Sequence, residues 1–197
     1  SHENDRAWRK CFMKVQHRIL EILKQSRQER GILAFYDNVD DASCFIVGYV
    51  EVLFKNALLV ATFDEMGVDD GFILLRFEDF FKIEKGSLYL KQLLKKSYFH
   101  PDFTLLSEKK GLIHKDGINS MIDTCKSYSI LVTIQLIYGD YITGIISDYD
   151  GKALSITVYS VQGFCAGVVL IKKEDIRGIA FERNKEREIA VFVDKEY

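Results

Sequence analysis

An internal repeat constrains the fold of this chain more than any other feature of its sequence. Shifted by 96 positions, residues 45–83 align without a gap on residues 141–179. Three glycine pairs stay in register: Gly48 with Gly144, Gly67 with Gly163 and Gly71 with Gly167. A structural unit that occurs twice in one sequence is expected to fold twice in the same way. The alternative is that two β-rich stretches share a generic alternation of apolar residues.

Each repeat unit is predicted to consist of short strands. In the second unit, apolar residues follow period 2 on either side of Asp150-Gly151, a pair typical of a tight hairpin turn. In the first unit the turn falls at Lys55-Asn56, where Asn tolerates a left-handed backbone. Further strands are predicted at 32–36, 72–77 and 80–83 in the first unit, and at 130–137, 168–173 and 176–181 in the second. Five strands of this length are expected to curl into a small barrel.

The remaining segments are predicted to be mostly helical. Apolar residues three and four apart over 7–28 indicate an amphipathic helix that ends at Arg30-Gly31 and covers a barrel. A short helix is expected at 118–126, and a closing strand that runs into a helix at 88–96. The last run, EIAVFV at 188–193, looks like a final strand.

Two motifs in the repeat resemble those of the Sm-like (LSm-type) family. The family's first motif is matched by GIISDYDGKALSI at 144–156 and, more loosely, by residues 48–60. The family's second motif is matched by the segment from Ile171 to Ile179 and by the corresponding segment from Leu75 to Ile83. The resemblance implies a helix followed by a strongly bent five-stranded barrel.

The expected fold is therefore mostly β with helices (α+β): two Sm-like, SH3-like five-stranded barrels that arose by internal duplication. The expected boundaries are an N-terminal amphipathic helix at 1–30, a first barrel at 31–96, a linker with a short helix at 97–127 and a second barrel at 128–197. Two such units in one chain could pair with each other, which would satisfy one open sheet edge of each.

The resemblance also implies candidate contact residues for RNA or for a partner. In RNA-binding Sm-like proteins the two motif loops line a pore and hold bases and phosphates. The matching or neighbouring loop positions in this sequence are Asn56, Arg76, Lys152, Lys172, Lys173 and Arg177. The family's Arg-Gly pair reads Arg76-Phe77 and Lys172-Lys173 here, which weakens the pattern.

Charge argues against nucleic acid as the main ligand. Residues 31–83 carry three basic and ten acidic groups, a net charge of −7, whereas residues 129–197 carry −2. Nucleic-acid binding is dominated by phosphate neutralisation, so the acidic first unit is expected to repel RNA. RNA binding through the basic residues of the second unit remains the alternative.

Catalytic signatures are missing from the sequence. It contains no GxxxxGK, GxGxxG, HExxH or GxSxG pattern, and its four His residues are scattered. The carboxylates Asp64, Glu65, Asp69 and Asp70 could bind a divalent metal for hydrolysis, but a solvated hairpin loop is the preferred interpretation. Cys11, Cys44, Cys125 and Cys165 form no CxxC pair, so reduced thiols are expected.

These observations predict a non-enzymatic binding or assembly module. We expect it to recognise a protein partner through its barrel edges, its loops or the face of the N-terminal helix that carries Trp8, or to self-associate through its barrel edges. No cofactor, metal or membrane is expected to take part. The absence of a long apolar run and of an apolar N-terminal stretch predicts a soluble, cytoplasmic protein.

Overall fold

A computed structural model describes residues 17–38, 40–41, 43–96 and 117–193 of the chain. Ten strands form one continuous antiparallel sheet in the order β5-β1-β2-β3-β4-β10-β6-β7-β8-β9. The strands of the first half are β1 (Leu33–Tyr36), β2 (Ile46–Leu53), β3 (Ala57–Phe63), β4 (Asp69–Arg76) and β5 (Lys82–Lys85). Those of the second half are β6 (Leu131–Leu136), β7 (Tyr141–Tyr149), β8 (Ala153–Tyr159), β9 (Cys165–Lys172) and β10 (Ile176–Phe181).

Four helices accompany the sheet within these ranges. They are α1 (17–29), α2 (Leu88–Lys96), α3 (Gly117–Ser127) and α4 (Asn184–Phe192), with a 3₁₀ turn at Lys173–Asp175. The end of α1 is confirmed at Arg30, whose φ of 51° stops the helix, and the short helix predicted at 118–126 is α3. No helix in the described ranges is both long and apolar enough to cross a membrane.

Strand boundaries in the two halves correspond at the 96-residue shift. β3 and β8, and likewise β4 and β9, begin and end at matching positions. Gly48 and Gly144 both lie where β2 or β7 passes close to its neighbour, and the ladders shift register just after Val50 and Ile146. The turn glycines Gly67 and Gly163 share a φ near 80°. Local backbone geometry thus follows the sequence repeat.

The prediction of two separate five-stranded barrels is wrong, because the strands form one open sheet with a shared interior. β4 pairs with β10 from Leu75 opposite Gly178 to Phe72 opposite Phe181, and this pairing joins the halves. One buried cluster takes side chains from both halves, including Phe72, Leu74, Ile156 and Phe181. All four residues from Phe72 to Leu75 are buried, so β4 needs cover on both faces, and the second half supplies it on one.

The first half has two further apolar clusters. Leu23 of α1 packs with Leu33, Phe35 and Val60, so the described part of the N-terminal helix covers the sheet as its apolar stripe predicts. The rest of that predicted helix lies outside the described residues. On the other side of β1, Leu90 and Leu93 of α2 pack in a third cluster. Helix α2 begins at Leu88, so the closing strand predicted at the start of 88–96 is wrong, whereas the helix predicted there is present. The separate strand predicted at 80–83 corresponds to β5.

The strand predicted at 188–193 is also wrong, because this segment belongs to α4. The Glu186 carboxylate accepts a hydrogen bond from the Arg183 backbone N–H, which caps the helix, and another from the Thr133 hydroxyl of β6. Helical spacing buries Ile189 and leaves Val191 and Phe192 exposed. The preceding strand β10 is already paired on both sides, by β4 and β6, so no place beside it remains for another strand.

Candidate functional site

The two first-motif turns lie beside the second-motif turns of their own halves. The Phe77 N–H donates to the Asn56 carbonyl at 3.1 Å, and the Lys173 N–H donates to the Lys152 carbonyl at 2.7 Å. The side chains of Asn56 and Lys152 are exposed. These predicted site residues therefore hold their loops together through backbone groups.

Arg76 and Arg177 both contact Asp79, Arg76 at the carboxylate and Arg177 at the backbone carbonyl. The Arg76 guanidinium donates to both Asp79 oxygens, at 2.8 and 3.1 Å, and this hydrogen bond raises the pKa of Arg76. Arg177 donates to the backbone carbonyls of Asp37 and Asp79. Both cations are thereby oriented by the protein at the side of the sheet where the halves join.

Lys172 and Lys173 have separate partners. Lys173 donates to the Asn119 side-chain oxygen of α3 at 3.1 Å, and the Tyr149 hydroxyl donates to the same oxygen at 2.6 Å. Lys172 is exposed and lies 3.9 Å from the Glu174 carboxylate. The predicted cations thus divide between Asp79 in the first half and the α3 side of the second half.

The densest carboxylate segment of the sequence is structural. Asp64 accepts hydrogen bonds from the backbone N–H groups of Met66 and Val68, both at 2.9 Å, as expected for a tight turn. Asp69 accepts from the Arg187 guanidinium at 3.0 Å. Within the described residues, no group of three or more His, Cys, Asp or Glu side chains is placed to hold a metal ion.

Asp70, named above as a possible metal ligand, instead joins the two halves of the chain, a role that was not predicted. One of its oxygens accepts from the Arg183 guanidinium at 2.8 and 3.0 Å, and the other accepts from the Asn184 backbone N–H at 2.9 Å. These bonds tie the start of β4 to the start of α4, more than 110 residues later in the chain. The one sequence signal was that the repeat breaks here, because Ala166 stands at the matching position.

The most distinctive surface of the described chain is the open side of β9, which we call the β9 edge. β9 pairs with β8 and has no other strand neighbour in the described sheet. Its residues read CAGVVLIK, with a single charge at the end. Val168 and Leu170 are 66% and 74% exposed. Native sheets ordinarily protect such edges with charged residues, prolines or covering elements.

The matching strand of the first half shows what covers such a surface. Phe72 and Leu74 occupy the positions of Val168 and Leu170, and they are 0% and 2% exposed because they lie in the buried cluster that both halves share. The matching strands therefore differ in their surroundings: β4 has a strand on each side and cover on both faces, whereas β9 has one strand neighbour in the described sheet and is exposed over most of its length. The β9 edge is the candidate functional site.

Other exposed apolar residues extend this surface. The turn before β9 exposes Val161 and Phe164. Phe192, at the end of α4, lies against the same turn: a Cβ added to Gly163 would be 2.5 Å from the Phe192 Cβ. Uncharged, exposed apolar patches of this kind are typical of protein interaction sites.

Thiol reactivity provides a first test of this surface. Cys165, on the β9 edge, and Cys44 are exposed, whereas Cys125 is buried in α3, and burial raises the pKa of its thiol to about 12. The hydrogen bond to Asp41 raises the pKa of Cys44. Because the thiolate is the nucleophile, we expect iodoacetamide to label Cys165 fastest, Cys44 more slowly and Cys125 only after denaturation.

Mass spectrometry of a Cys11→Ser variant measures the three rates. The same protein unfolded in guanidinium chloride is the control, in which the three thiols should react alike. Labelling of Cys125 in the native protein at the rate of Cys165 would contradict the packing of α3 against the sheet.

Comparison with known proteins does not assign the chain to a family. No protein-family model and no curated protein matches it. One solved structure that it resembles is that of a pleiotropic translational regulator, Hfq, with 24% sequence identity. The match covers 32% of this chain and 93% of that one, with a TM-score of 0.27. The Sm-like relationship therefore stays a resemblance of sequence motifs.

Proposed function

We propose that this chain is a non-enzymatic protein-binding module whose recognition element is the β9 edge. The observation that carries the proposal is the exposure of Val168 and Leu170 on a strand with one open side, where the matching residues of the first half are buried on a strand that is paired on both sides. A partner that adds a strand here gains main-chain hydrogen bonds and covers apolar side chains in one step.

The geometry defines the chemistry of the partner segment. Side chains two apart on β9 share a face, so Val168 and Leu170 offer two adjacent apolar contacts. The segment should be extended, with apolar residues at alternate positions and no charge at its centre. Neither acidic nor basic side chains occur in β9 before Lys172, so the edge offers no ion-pair partner there.

The RNA-binding alternative is not favoured by the described contacts. Arg76 and Arg177 are both held by groups of Asp79, and Lys173 by Asn119, so phosphate would have to displace these partners. The thiol of Cys44 does contact the Asp41 carboxylate, but this hydrogen bond raises the pKa of Cys44 and so disfavours the thiolate that an enzyme would use. A protein-binding role explains the exposed apolar β9 edge, which the RNA-binding and enzyme alternatives do not.

Selection of peptides from a random library tests the proposal. We expect the chain to enrich peptides with apolar residues at alternate positions. Changing Leu170 to Lys should weaken their binding at least about tenfold, because strand addition would then bury a charge. Fluorescence anisotropy of labelled peptides measures both affinities. Leu88→Lys is the matched control, because Leu88 is equally exposed but lies on α2, and it should leave binding unchanged.

Two outcomes would contradict the proposal. One is that selected peptides bind the Leu170→Lys variant as tightly as the unchanged chain. The other is tight binding of short single-stranded RNA that is lost when Lys172 and Lys173 are changed to Glu, which would favour the RNA alternative.

A further inference from the structure

The junction of β4 and β10 shows which residues suit an edge of this type. Opposite Leu75, Leu74, Ile73 and Phe72, strand β10 places Gly178, Ile179, Ala180 and Phe181. These residues are uncharged, and the Phe181 ring stacks on that of Phe72 with centroids 5.4 Å apart. A strand that covers β9 should have the same uncharged character.

The other edge of the described sheet, β5, lacks this uncharged character. At the 96-residue shift, Lys82, Glu84 and Lys85 stand where β10 has Gly178, Ala180 and Phe181. The Lys82 ammonium lies 3.2 Å from the Glu84 carboxylate and 3.9 Å from the centre of the Tyr36 ring. The Tyr36 hydroxyl donates to Glu84 at 3.1 Å. The charges on this edge are already engaged within their own half.

Pairing β5 of one copy with β9 of another would therefore be unfavourable. In the register of the junction, Lys82, Glu84 and Lys85 would face Ile171, Val169 and Val168. The charged groups would lose water and gain apolar neighbours, which costs free energy unless they keep other partners. Charged residues on an edge strand are a common protection against such pairing.

We infer that the β9 edge pairs with the β9 edge of a second copy, antiparallel and about a two-fold axis. This inference rests on the proposed function and names the partner segment. A two-fold axis normal to the sheet keeps each side chain on the same face of the sheet in both copies. Residues directly opposite in an antiparallel pair share a face, so the sequence numbers of two opposite residues must add up to an even number. The axis then passes midway between the two copies of one residue, which face each other.

Centring the axis on Val169 gives the best apolar match. Val168 of each copy then faces Leu170 of the other, Gly167 faces Ile171, and the two Val169 residues face each other. Lys172 faces Ala166 at both ends, where its long side chain reaches solvent, so no like charges are directly opposed. An axis through Leu170 would instead oppose Lys172 to Val168, and one through Val168 would leave Leu170 opposite Ala166.

Cysteine cross-linking distinguishes the two modes of pairing. In a background with Cys11, Cys44 and Cys165 changed to Ser, Val169→Cys should form a disulfide dimer on mild oxidation. Directly opposite residues of antiparallel strands have Cα atoms about 4.5–5.5 Å apart, within disulfide range. Val191→Cys, exposed on α4, controls for random collision and should cross-link at least about tenfold more slowly.

Mixing Val169→Cys with Glu84→Cys tests the competing arrangement. In the junction register these two positions would be opposite, so pairing of β9 with β5 predicts a mixed dimer. Self-pairing of β9 predicts only the Val169→Cys homodimer, and a preference for the mixed dimer would overturn the inference. Non-reducing gels with mass spectrometry separate the products.

Light scattering coupled to size exclusion completes the test without a disulfide. We expect the full chain to be a dimer at micromolar concentration and Leu170→Lys to be a monomer with unchanged circular dichroism. A full chain that stays monomeric up to hundreds of micromolar would overturn the inference. If that monomer still binds the selected peptides through Leu170, the proposed function stands and self-pairing alone is wrong; if it binds none, both are wrong.

Discussion

Replacing Phe181 by Ala is expected to lower the free energy of unfolding by about 3–5 kcal/mol, the range for truncating a buried aromatic residue. Phe181 is 1% exposed and stacks on Phe72 where β10 meets β4. The substitution leaves a cavity in the cluster shared by both halves. Denaturation in guanidinium chloride followed by circular dichroism measures the loss through the midpoint and slope.

Phe192→Ala is the control for this substitution. Phe192 is 62% exposed on α4, and its truncation should change the free energy of unfolding by less than about 0.5 kcal/mol. Because the interior is shared, the chain should also unfold in one transition with and without the Phe181 change. Two resolved transitions, or a Phe181→Ala loss no larger than that of the control, would contradict a common core.

The second large effect is expected from adding a single methyl group at Gly48 or Gly144. A Cβ would lie 2.1 Å from the Ala61 carbonyl oxygen at Gly48, and 2.3 Å from the Thr157 oxygen at Gly144. Both oxygens belong to neighbouring strands, so relief requires the strands to separate. We expect the free energy of unfolding of each Ala variant to fall by about 3 kcal/mol, at the upper end of the range for inserting atoms into a well-packed core.

Gly31→Ala is the matched control for these glycines. The nearest atom to a Cβ at Gly31 is 4.0 Å away, so this variant should change stability by less than about 0.5 kcal/mol. Melting curves of the three variants in the same buffer measure the differences. Gly48→Ala and Gly144→Ala variants as stable as Gly31→Ala would show that the strands do not approach so closely.

Local features of this chain were predictable from sequence because residues close in sequence determine them. Period-2 alternation located the hairpins, and Asp150 accepts hydrogen bonds from Lys152 and Ala153 in the turn predicted there. The 96-residue shift placed matching glycines at matching backbone positions. The prediction of a strand at 188–193 was wrong because a short continuous apolar run fits a strand and a helix alike. The residue that decides between them, Glu186, caps the helix and is buried against Thr133 of a distant strand.

The sequence predicted that an open sheet edge would be the binding surface, but not which strand would form it. An open sheet edge was expected, but five of the six residues chosen by resemblance lie away from β9, and the sixth, Lys172, stands only at its end. Arg76, Lys173 and Arg177 have hydrogen-bond partners within the chain. Neither Asp79 nor Asn119 stood out in the sequence as a partner for these cations. Side-chain pairing across the fold decided how much charge remains available to a ligand.

The sequence alone determined the repeat, its strands and turns, and the apolar character of both β4 and β9, because backbone preference and alternation act over a few residues. Tertiary structure alone decided that β4 pairs with β10 while β9 stays open in the described sheet. Two runs as similar as FILL at 72–75 and VVLI at 168–171 carry no local signal of which one finds a neighbour. That difference depends on which strand the rest of the chain brings alongside, and it makes one run part of the core and the other a surface for association.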